Sequence, residues 1–538
     1  MKINKFFQTI ILVLITVFSC SKEQAEDIPE TNPDTQSIIQ YINSLDYNQQ
    51  EILNEQDTGF EPSRRDVLSS QTNTQPPFEG QVVSCTTTNY DLFSNFENIA
   101  ILRPNLSSVY PGALVIGDGQ MLFGTPTPLA IDRAPATLRV NLPGIGDQGT
   151  IVVENPAANS EFGAKLDQAL EWWNTNNSEY PDGEGYVNDA GSTYDSATLY
   201  SSTQLGLDVG LNLAWADNSV ASQLEFNSTS ETRVATMVFK QVFYDVVMDN
   251  PSNVAAVFRN DVTLEQVQSL IDNERPPAYV SSVSYGRIIM LRLETTYDET
   301  NTSLDATLEY AAGVDVNATI DSDKSDILKT SSIKILTLGG NAEVAASSVN
   351  LVYDDDEDIS PGVLNDIITG ENAVYSRNNP GVPISYTIRY LKDNTLAKMG
   401  YNEQYTALEC GKTEFDHASI KVYNDFEVRN MRFRYYYTYN EAGEDVNFDS
   451  GWDTVTDESQ ETYSIPDGAW DVEYDLEYFD LLGGFWEPFS GGSGSPGHVE
   501  SQICLRGYNP SGWGNGDIAL CSACTNPQNN NSCPNYPD

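Results

Sequence analysis

Histidine and positive charge are scarce in this sequence. Its 538 residues include two histidines, His417 and His498, and 28 Lys plus Arg against 78 Asp plus Glu, a formal net charge of −50 at pH 7. A surface of this sign repels phosphate backbones and therefore argues against nucleic-acid binding. Two distant histidines without a neighbouring Cys or Glu cluster predict neither a His-based metal site nor a catalytic triad.

The motifs of common enzyme classes are missing as well. No phosphate-cradling loop and no GxSxG sequence occurs, so nothing indicates an enzyme or a bound cofactor. The most acidic run, YDDDEDIS at 353–360, lacks the glycine and the spaced glutamate of an EF-hand loop. It favours a solvated loop over a calcium site, and we expect no metal.

Long apolar runs are absent except at the N-terminus. Residues 6–18 follow Lys2 and Lys5 and form a signal peptide too short to span a membrane as a helix. The run ends in VFSC, which resembles a lipoprotein box in which Cys20 is lipidated; the alternative is an ordinary signal with an incidental cysteine. We expect a signal peptide at 1–19, an acidic tether at 20–36, and a bacterial outer-membrane lipoprotein exposed at the cell surface.

The remaining cysteines suggest disulfide bonds. An even number in an exported chain favours pairing, although the connectivity cannot be read from the sequence. The CSAC motif lies in a Gly/Asn-rich tail, 509–538, without a predicted helix, so a disulfide-bonded tail is favoured over a metal or redox site. The six cysteines are Cys85, Cys410, Cys504, Cys521, Cys524 and Cys533.

Most of the chain consists of short β-rich segments with turn signals between them. Helices are predicted at 37–53, 163–174 and 231–248. From 406 to 508 the aromatic strands follow one another without a helical pattern, which predicts a separate β-sandwich.

Two stretches alternate apolar and polar residues over an unusual length. A half-buried strand usually alternates for about 4–8 residues, whereas a tilted transmembrane β-strand spans about 9–11 and alternates throughout. A stable helix is disfavoured at 205–215, because it would distribute the apolar side chains around its whole circumference. The alternative is four strands of an ordinary sheet. The apolar positions are Leu205, Leu207, Val209, Leu211, Leu213, Trp215, Val220, Leu224 and Phe226 in the first stretch, and Leu304, Leu308, Tyr310, Val314, Val316 and Ile320 in the second.

Several phrases resemble the cholesterol-dependent (thiol-activated) cytolysins. They include PPAYVSSVSYGRIIMLRLETT at 276–296, SLDYNQQEIL at 44–53, VYPGALVI at 109–116, FKQVFYDV at 239–246 and GVPISYTIRYLKDN at 381–394. They occur in the order found in that family and cover nearly all of 42–405.

The resemblance implies an elongated, multidomain α+β protein with a twisted antiparallel core sheet, flanking helical bundles and a C-terminal β-sandwich. The core would be discontinuous within 37–405, and the sandwich at 406–508 would bind the target. In this family, copies assemble into a large ring on a target membrane, and two helical bundles per subunit refold into β-hairpins. The resemblance places these hairpins at 203–228 and 302–336, and it places at Gly339 and Gly340 the glycine pair at which a core strand pivots.

The C-terminal region departs from the family pattern. The Trp-rich undecapeptide of the cytolysins corresponds to YFDLLGGFWEP at 478–488, and their cholesterol-recognising Thr-Leu pair to Gly507-Tyr508. Neither element is retained, so we expect binding without cholesterol as receptor. An apolar cluster still marks this region as a candidate target contact, with an ordinary core strand and loop as the alternative. Its members are Leu481, Leu482, Phe485, Trp486 and Phe489.

A cytolysin body with a divergent tip most resembles the cholesterol-dependent cytolysin-like proteins of Bacteroidota, and the lipid anchor is a further departure from secreted cytolysins. Two readings remain open beside a pore-forming toxin. One is a surface lipoprotein that uses this scaffold as an adhesin, and the other is a non-inserting partner of a second cytolysin-like component.

Overall fold

The computed structural model describes residues 33–48, 64–102, 108–177, 188, 190–211, 233–295, 303–314, 322–340, 364–369, 373–425, 428–441, 444–509 and 516–521. Among the helices in these ranges, none has the length and apolar character needed to cross a membrane.

The elements are numbered here in chain order. The helices are α1 (Pro33–Ser44), α2 (Asn159–Asn176), α3 (Ser202–Asp208), α4 (Leu264–Leu270), α5 (Leu304–Ala312), α6 (Ser322–Thr330) and α7 (Asn365–Ile368), with 3₁₀ turns at Gly119–Phe123 and Gly146–Gly149. The strands are β1 (Arg64–Thr74), β2 (Gln81–Phe96), β3 (Ile99–Ala100), β4 (Leu114–Ile116), β5 (Ala136–Val140), β6 (Thr150–Val153), β7 (Gly191–Thr198), β8 (Arg233–Met248), β9 (Pro277–Thr295), β10 (Ser331–Leu338), β11 (Val382–Tyr390), β12 (Met399–Glu414), β13 (Ile420–Asp425), β14 (Met431–Glu441), β15 (Glu444–Asp449), β16 (Asp453–Val455), β17 (Gln460–Tyr463), β18 (Trp470–Asp480), β19 (Phe485–Gly497), β20 (Ile503–Tyr508) and β21 (Asp517–Cys521).

A nine-stranded antiparallel sheet occupies the centre of the molecule. Its order is β3-β11-β9-β8-β5-β6, with β4 and β10 also paired to β9 and β7 to β8. Strands β8 and β9, of 16 and 19 residues, pair antiparallel from Arg233 opposite Thr295 to Val247 opposite Ser282. The helix predicted at 231–248 is therefore wrong: its β-branched and aromatic residues form β8, because strand pairing and burial on both faces outweigh a helical spacing.

A three-stranded sheet, β1-β2-β12, forms a second unit. Cys85 on β2 lies opposite Cys410 on β12, and the two form a disulfide bond, which confirms that at least one pair of the cysteines is bonded. Strand β12 continues to Glu414, opposite Gln81. The sandwich boundary expected at 406 therefore falls inside a strand of this connecting sheet.

The C-terminal strands form a sheet of their own. Its order is β15-β14-β18-β19-β21-β20-β13-β17, and β16 also pairs with β14. It begins at Ile420 and includes β21, beyond the expected limit at 508. Cys504 on β20 is disulfide-bonded and lies opposite Cys521 in the ladder. Cys524 and Cys533 lie outside the described residues.

The expected helices at 37–53 and 163–174 correspond to α1 and α2. Helix α1 buries Ile38 and Ile42, and α2 buries Phe162, Leu166 and Trp173, at the spacing of one helical face. Both pack into the largest apolar core, at one end of the central sheet. The acidic run at 353–360 lies outside the described residues.

Candidate functional site

The two faces of the central sheet carry separate apolar cores. Strand residues alternate between faces, so neighbours on β8 and β9 belong to different cores. The first face packs against α5 and α6, and the second packs against α3. The first face presents Ala235, Met237, Phe239, Ile289, Leu291, Leu293, Ile333 and Ile335. The second presents Val234, Val238, Ile288 and Met290.

Helix α5 forms from the longer of the two alternating stretches. Ser303 caps its N-terminus by accepting a hydrogen bond from the backbone N–H of Ala306 at 3.1 Å, and Gly313 ends it at φ +71°. The buried set is Leu304, Thr307, Leu308, Tyr310, Ala311 and Ala312. Leu304, Leu308 and Ala311 follow the helical period, and the fully buried polar Thr307 occupies a position that a strand pattern would expose.

Helix α3 forms from the start of the other alternating stretch. The side chain of Ser201 accepts a hydrogen bond from the backbone N–H of Gln204, and the side-chain oxygen of Gln204 accepts one from the backbone N–H of Ser201. Together they form a capping box. The pattern disfavoured a helix here, and that interpretation is wrong for 202–208. The reason is that the helix has apolar surfaces on two sides: Leu205 and Val209 pack on the central sheet, whereas Leu207 packs against Tyr405 of the connecting sheet.

Polar contacts hold both helices in place. Arg65 on the connecting sheet forms an ion pair with Asp208 at 2.5 Å. Ser196 on β7 donates to the carboxylate of Glu309 on α5 at 2.6 Å. Lys240 on β8 donates from Nζ to the carbonyl of Gly210 at 2.7 Å. Burial lowers the pKa of Lys240 despite the attraction of Asp195. If α3 and Gly210 moved away from β8, the buried ammonium group of Lys240 would therefore regain contact with water.

The structure describes only part of the predicted hairpins. The predicted residues buried around α3 are Leu205, Leu207, Val209 and Leu211. Those buried on α5 are Leu304, Leu308 and Tyr310, and Val314 packs at the edge of the α5 core. The other predicted hairpin positions lie outside the described residues: Leu213, Trp215, Val220, Leu224, Phe226, Val316 and Ile320.

The predicted glycine pair directly follows β10. Gly339 and Gly340 have φ angles of +81° and +85°, a region that favours glycine. A Cβ at Gly339 would lie 2.8 Å from the carbonyl oxygen of Gly286, and one at Gly340 would lie 3.0 Å from Cδ of Arg287. No other residue type fits this turn without displacing β9.

Arg287, beside the glycine pair, is a functional candidate that the sequence patterns did not identify. It is fully buried; its Nε donates to Gln241 at 2.6 Å and its Nη2 to the carbonyls of Ile367 and Ile368 at 2.9 and 3.3 Å. Gln241 also donates to the carbonyl of Ile368, at 2.7 Å. Burial lowers the pKa of Arg287 to about 10. Arg287 and Gln241 together, here called the β9 clasp, tie the segment at 364–368 to β9 and β8.

The apolar tip cluster is only partly exposed. Leu481, Leu482 and Phe485 are 55%, 85% and 52% exposed in the turn between β18 and β19. Asp480 accepts hydrogen bonds from the backbone N–H groups of Leu482 and Gly483 at 3.1 and 2.8 Å, which fixes the turn and presents both leucines.

Two members of the predicted cluster have other contacts. Trp486 is half-buried and packs against Phe479 and, as a cation–π contact at 4.6 Å, against Arg432. Phe489 is only 4% exposed and packs on Tyr478 inside the sandwich core, so its assignment as a target contact is wrong. The reason is strand alternation, which turns it inward.

Val428 adds an exposed apolar side chain at this end. It is 78% exposed at φ +65°, a strained conformation for a β-branched residue. The N–H of Phe479 donates to the carbonyl of Asn430 at 3.0 Å, which brings this loop beside the β18–β19 turn. An isolated valine between charged residues gives no sequence signal, and only the topology identifies it.

The two histidines meet where the connecting sheet joins the sandwich. Their rings stack with centroids 5.8 Å apart. His417 accepts a hydrogen bond at Nδ1 from the N–H of Val499 at 3.1 Å and bonds the carbonyl of Ala469 through Nε2 at 2.7 Å. His498 accepts at Nε2 from the N–H of Gly80 at 3.2 Å. Each ring thus acts as an acceptor, which requires the neutral form.

Burial lowers the pKa of both histidines, and for His498 the charge of His417 lowers it further. The nearby carboxylates of Asp416 and Asp467 at His417, and of Asp471 and Glu500 at His498, oppose this shift but do not cancel it. Between the lowered pKa values and about pH 6.5, these two imidazoles therefore bind fewer protons in the folded protein than in the unfolded chain. Stability is complete above that pH and falls as the pH drops through the lowered pKa values.

We expect acidification from pH 7.5 to 5 to weaken this joint, because charged imidazoles cannot accept the N–H groups of Gly80 and Val499. An unsatisfied backbone donor costs about 1–3 kcal/mol. His498→Gln retains an acceptor without a proton-dependent charge, so its unfolding midpoint should fall less on acidification than that of the unsubstituted protein. The comparison also removes the general effect of titrating carboxylates in a chain of net charge −50. Parallel pH profiles for the two proteins would contradict the assignment.

No group of three or more His, Cys, Asp or Glu side chains suited to a metal ion occurs among the described residues. Two helices cover opposite faces of one sheet, a buried clasp and a glycine pair adjoin them, and an exposed apolar tip lies on a separate sandwich.

Comparisons with known proteins agree with this architecture. A family model described as thiol-activated cytolysin matches residues 37–414. Pneumolysin of Streptococcus pneumoniae serotype 4 (strain ATCC BAA-334 / TIGR4) is 32% identical over 384 residues, 67% of this chain and 74% of pneumolysin. Perfringolysin O of Clostridium perfringens (strain 13 / Type A) is 30% identical over 462 residues, 84% of this chain and 85% of that protein. The crystal structure of listeriolysin O matches with a TM-score of 0.61 at 24% identity and covers 91% of this chain and 96% of its own.

Proposed function

The chain belongs to the thiol-activated cytolysin family, and from this membership we propose that it is a pore-forming toxin that assembles with copies of itself on a target membrane and inserts two β-hairpins per subunit. The members it resembles are cytolysins rather than enzymes. The hairpins would form from 203–228 and 302–336, and the sandwich would contact the target.

The observation that carries this proposal is the double periodicity of 304–314. As a helix, this segment buries Leu304, Leu308 and Ala311 against the sheet. As a strand, its even positions form a continuous apolar face and its odd positions a mostly polar one, the pattern of a lipid-facing strand beside water. A sequence selected only for the helix would not need the second pattern.

The residues around the central sheet support a step in which an edge of this sheet becomes free to pair with the next subunit. An open strand edge cannot remain in hydrocarbon, so inserted strands must close into a ring of many copies. The β9 clasp and the glycine pair lie at the two ends of 341–363, next to the edge strand β10. We propose that the chain pivots at Gly339-Gly340 and that an edge of the core sheet is thereby freed for the next subunit.

Dye release from vesicles tests the function. We expect the purified protein, alone or after limited proteolysis, to release dye from vesicles made of target lipids, with equal efficiency before and after cholesterol extraction. Cholesterol independence is expected because the Thr-Leu pair and the Trp-rich undecapeptide are missing. Release that depends steeply on cholesterol would contradict the receptor proposal. Binding without release under all conditions would favour a non-inserting role.

That second role, a surface adhesin or the non-inserting partner of another cytolysin-like component, is favoured by the lipoprotein box and the divergent tip. Adding a candidate second component distinguishes the two, since a partner would restore release and an adhesin would not.

We further propose that Cys20 anchors the protein in the outer membrane of its producer. Cys20→Ala should leave folding unchanged and release the protein from the membrane fraction, because lipid attachment acts through methylene groups buried in the bilayer and Cys20 precedes the sheet-forming part of the sequence. Fractionation of producing cells measures this outcome. Unchanged membrane association of the variant would contradict the anchor.

A further inference from the structure

The first helix and the apolar tip lie far apart in the molecule. Helix α1 packs into the same core as Met399, the first residue of β12. Strand β12 then pairs with β2 without a register shift, from Met399 opposite Phe96 to Glu414 opposite Gln81. Its 16 residues, at about 3.3 Å each, place the end of β12 about 50 Å from the core that holds α1.

The sandwich begins at this distant end of β12. Phe415 donates its N–H to the carbonyl of Gly80 at 2.8 Å, and the N–H of Gly468 donates to the carbonyl of Phe415 at 3.1 Å. Strand β18 starts beside this joint at Trp470 and ends after 11 residues at Asp480, next to the tip. Its length adds about 33 Å, which puts the tip about 80 Å from the α1 core along the strands.

The sandwich does not fold back along the connecting sheet. Among the residues that the structure describes, the strands of the sandwich pack extensively only against one another. The tip therefore remains at the end of the molecule opposite α1. Leu481, Leu482 and Val428 expose their apolar side chains at this end.

The segment between the proposed anchor and α1 is short. Residues 21–32 separate Cys20 from Pro33, the first residue of α1. A fully extended chain spans about 3.3–3.6 Å per residue, so this segment reaches at most about 45 Å. Helix α1 is about 18 Å long. Even if Pro33 is the part of α1 closest to the sandwich, about 60 Å separates it from the tip.

We propose that the anchored chain directs its tip to the lipid surface of a neighbouring cell and does not assemble on the membrane that holds it. The inference rests on the anchor at Cys20 and the ring assembly proposed above. In such a ring, copies stand side by side with their tips on the membrane and their long axes along the membrane normal. A chain standing in this way on its own membrane would hold Pro33 about 60–80 Å above the surface, beyond the reach of about 45 Å.

A tilted molecule brings its tip to its own membrane, but it cannot stand upright beside its neighbours. The anchor would therefore prevent ring assembly on the producer and permit it on an opposing surface. Exposed apolar side chains mark contact sites for membranes or proteins, and lipid is the partner that ring insertion requires.

Two populations of vesicles test this orientation. The lipidated protein is inserted from detergent into the outer leaflet of preformed donor vesicles of phosphatidylcholine and phosphatidylethanolamine. Acceptor vesicles of the same lipids contain a different dye. We expect the donors to capture the acceptors in a flotation assay, and we expect acceptor dye to be released at least tenfold faster than donor dye.

Two variants connect this preference to the length of the tether. Cys20→Ala, free in solution, should release both dyes equally. Insertion of about 60 Gly and Ser residues after Gln24 gives a linker with a root-mean-square length of about 45 Å and a far longer maximum reach. The anchored chain can then stand upright on its own membrane, so donor dye should be released as well. The same insertion combined with Leu481→Asp/Leu482→Asp is the control and should release neither dye.

The outcomes separate this orientation from the proposed pore. Capture of acceptors without dye release contradicts the pore and supports the orientation. Equal release of both dyes by the anchored chain with its native tether overturns the orientation. So does a lack of capture by the anchored chain when Cys20→Ala binds the vesicles. If Cys20→Ala binds no vesicles at all, lipid is not the partner of the tip and the proposal is wrong.

Discussion

Val314→Arg is expected to abolish dye release while leaving folding and ring assembly intact. Val314 packs at the half-buried edge of the α5 core, so the folded monomer can turn a longer side chain towards water. In the inserted strand its even position faces lipid, where an arginine near the midplane costs about 2–4 kcal/mol. Every subunit of the ring would bear this cost, and insertion should therefore fail.

Asp315→Arg is the control at the adjacent position. The same side chain would point into the water-filled pore, where its charge is solvated, and dye release should persist. Val316→Arg and Asn317→Arg repeat the comparison one pair further along the sequence. If substitutions at even and odd positions reduce dye release equally, with circular dichroism and ring assembly unchanged, this stretch does not become a membrane strand.

The double variant Leu481→Asp/Leu482→Asp should lose most of its affinity for target vesicles. Both side chains are more than half exposed, and the β18–β19 turn is held by Asp480, so folding should not change. Burying one leucine contributes about 1.5–3 kcal/mol. Losing two of them, and adding two charges, should weaken vesicle binding at least a hundredfold, measured by vesicle flotation.

Leu408→Asp is the matched control for this experiment. Leu408 is 60% exposed on β12 of the connecting sheet, away from the tip. This variant makes the same Leu-to-Asp change once instead of twice, and vesicle binding should remain normal. If both variants bind as the unsubstituted protein does, the tip is not the contact surface.

The helices on the central sheet show what sequence patterns could and could not reveal. The alternation at 205–226 and 304–320 predicted strands, yet the folded monomer has helices at 202–208 and 304–312. The pattern describes the state proposed for the membrane, whereas local capping and tertiary contacts determine the fold observed here. Ser201 and Ser303 start the helices, and the sheet offers apolar surfaces on both faces.

Family resemblance predicted the α+β architecture, but it could not predict contacts between residues that are distant in the sequence. The pairing of His417 with His498 joins positions on different elements, and neither residue has a recognisable motif. Arg287 is an ordinary basic residue in the sequence, and only its burial distinguishes it. Whether Phe489 points into the core or towards solvent depends on the strand register. A shift of the register by one residue would turn its side chain to the other face of the sheet.

The helical and strand forms of α5 differ most at two neighbouring residues. In the folded monomer Ala306 is partly exposed, whereas Thr307 is fully buried against the sheet. In the proposed membrane strand, Ala306 would face lipid and Thr307 would face the water-filled pore. The environments of these two positions should therefore exchange on insertion, which no rigid docking of the helix can produce.

Thiol accessibility at these two positions tests the account most directly. Ala306→Cys and Thr307→Cys are small substitutions, and the unsubstituted protein gives the background from its native cysteines. With a membrane-impermeant thiol reagent, the account predicts rapid labelling at 306 and protection at 307 in the free protein. After vesicle binding and dye release, it predicts the reverse order. If 306 remains labelled and 307 remains protected while dye is released, α5 has kept its helical packing and the proposed conversion to a membrane strand is wrong.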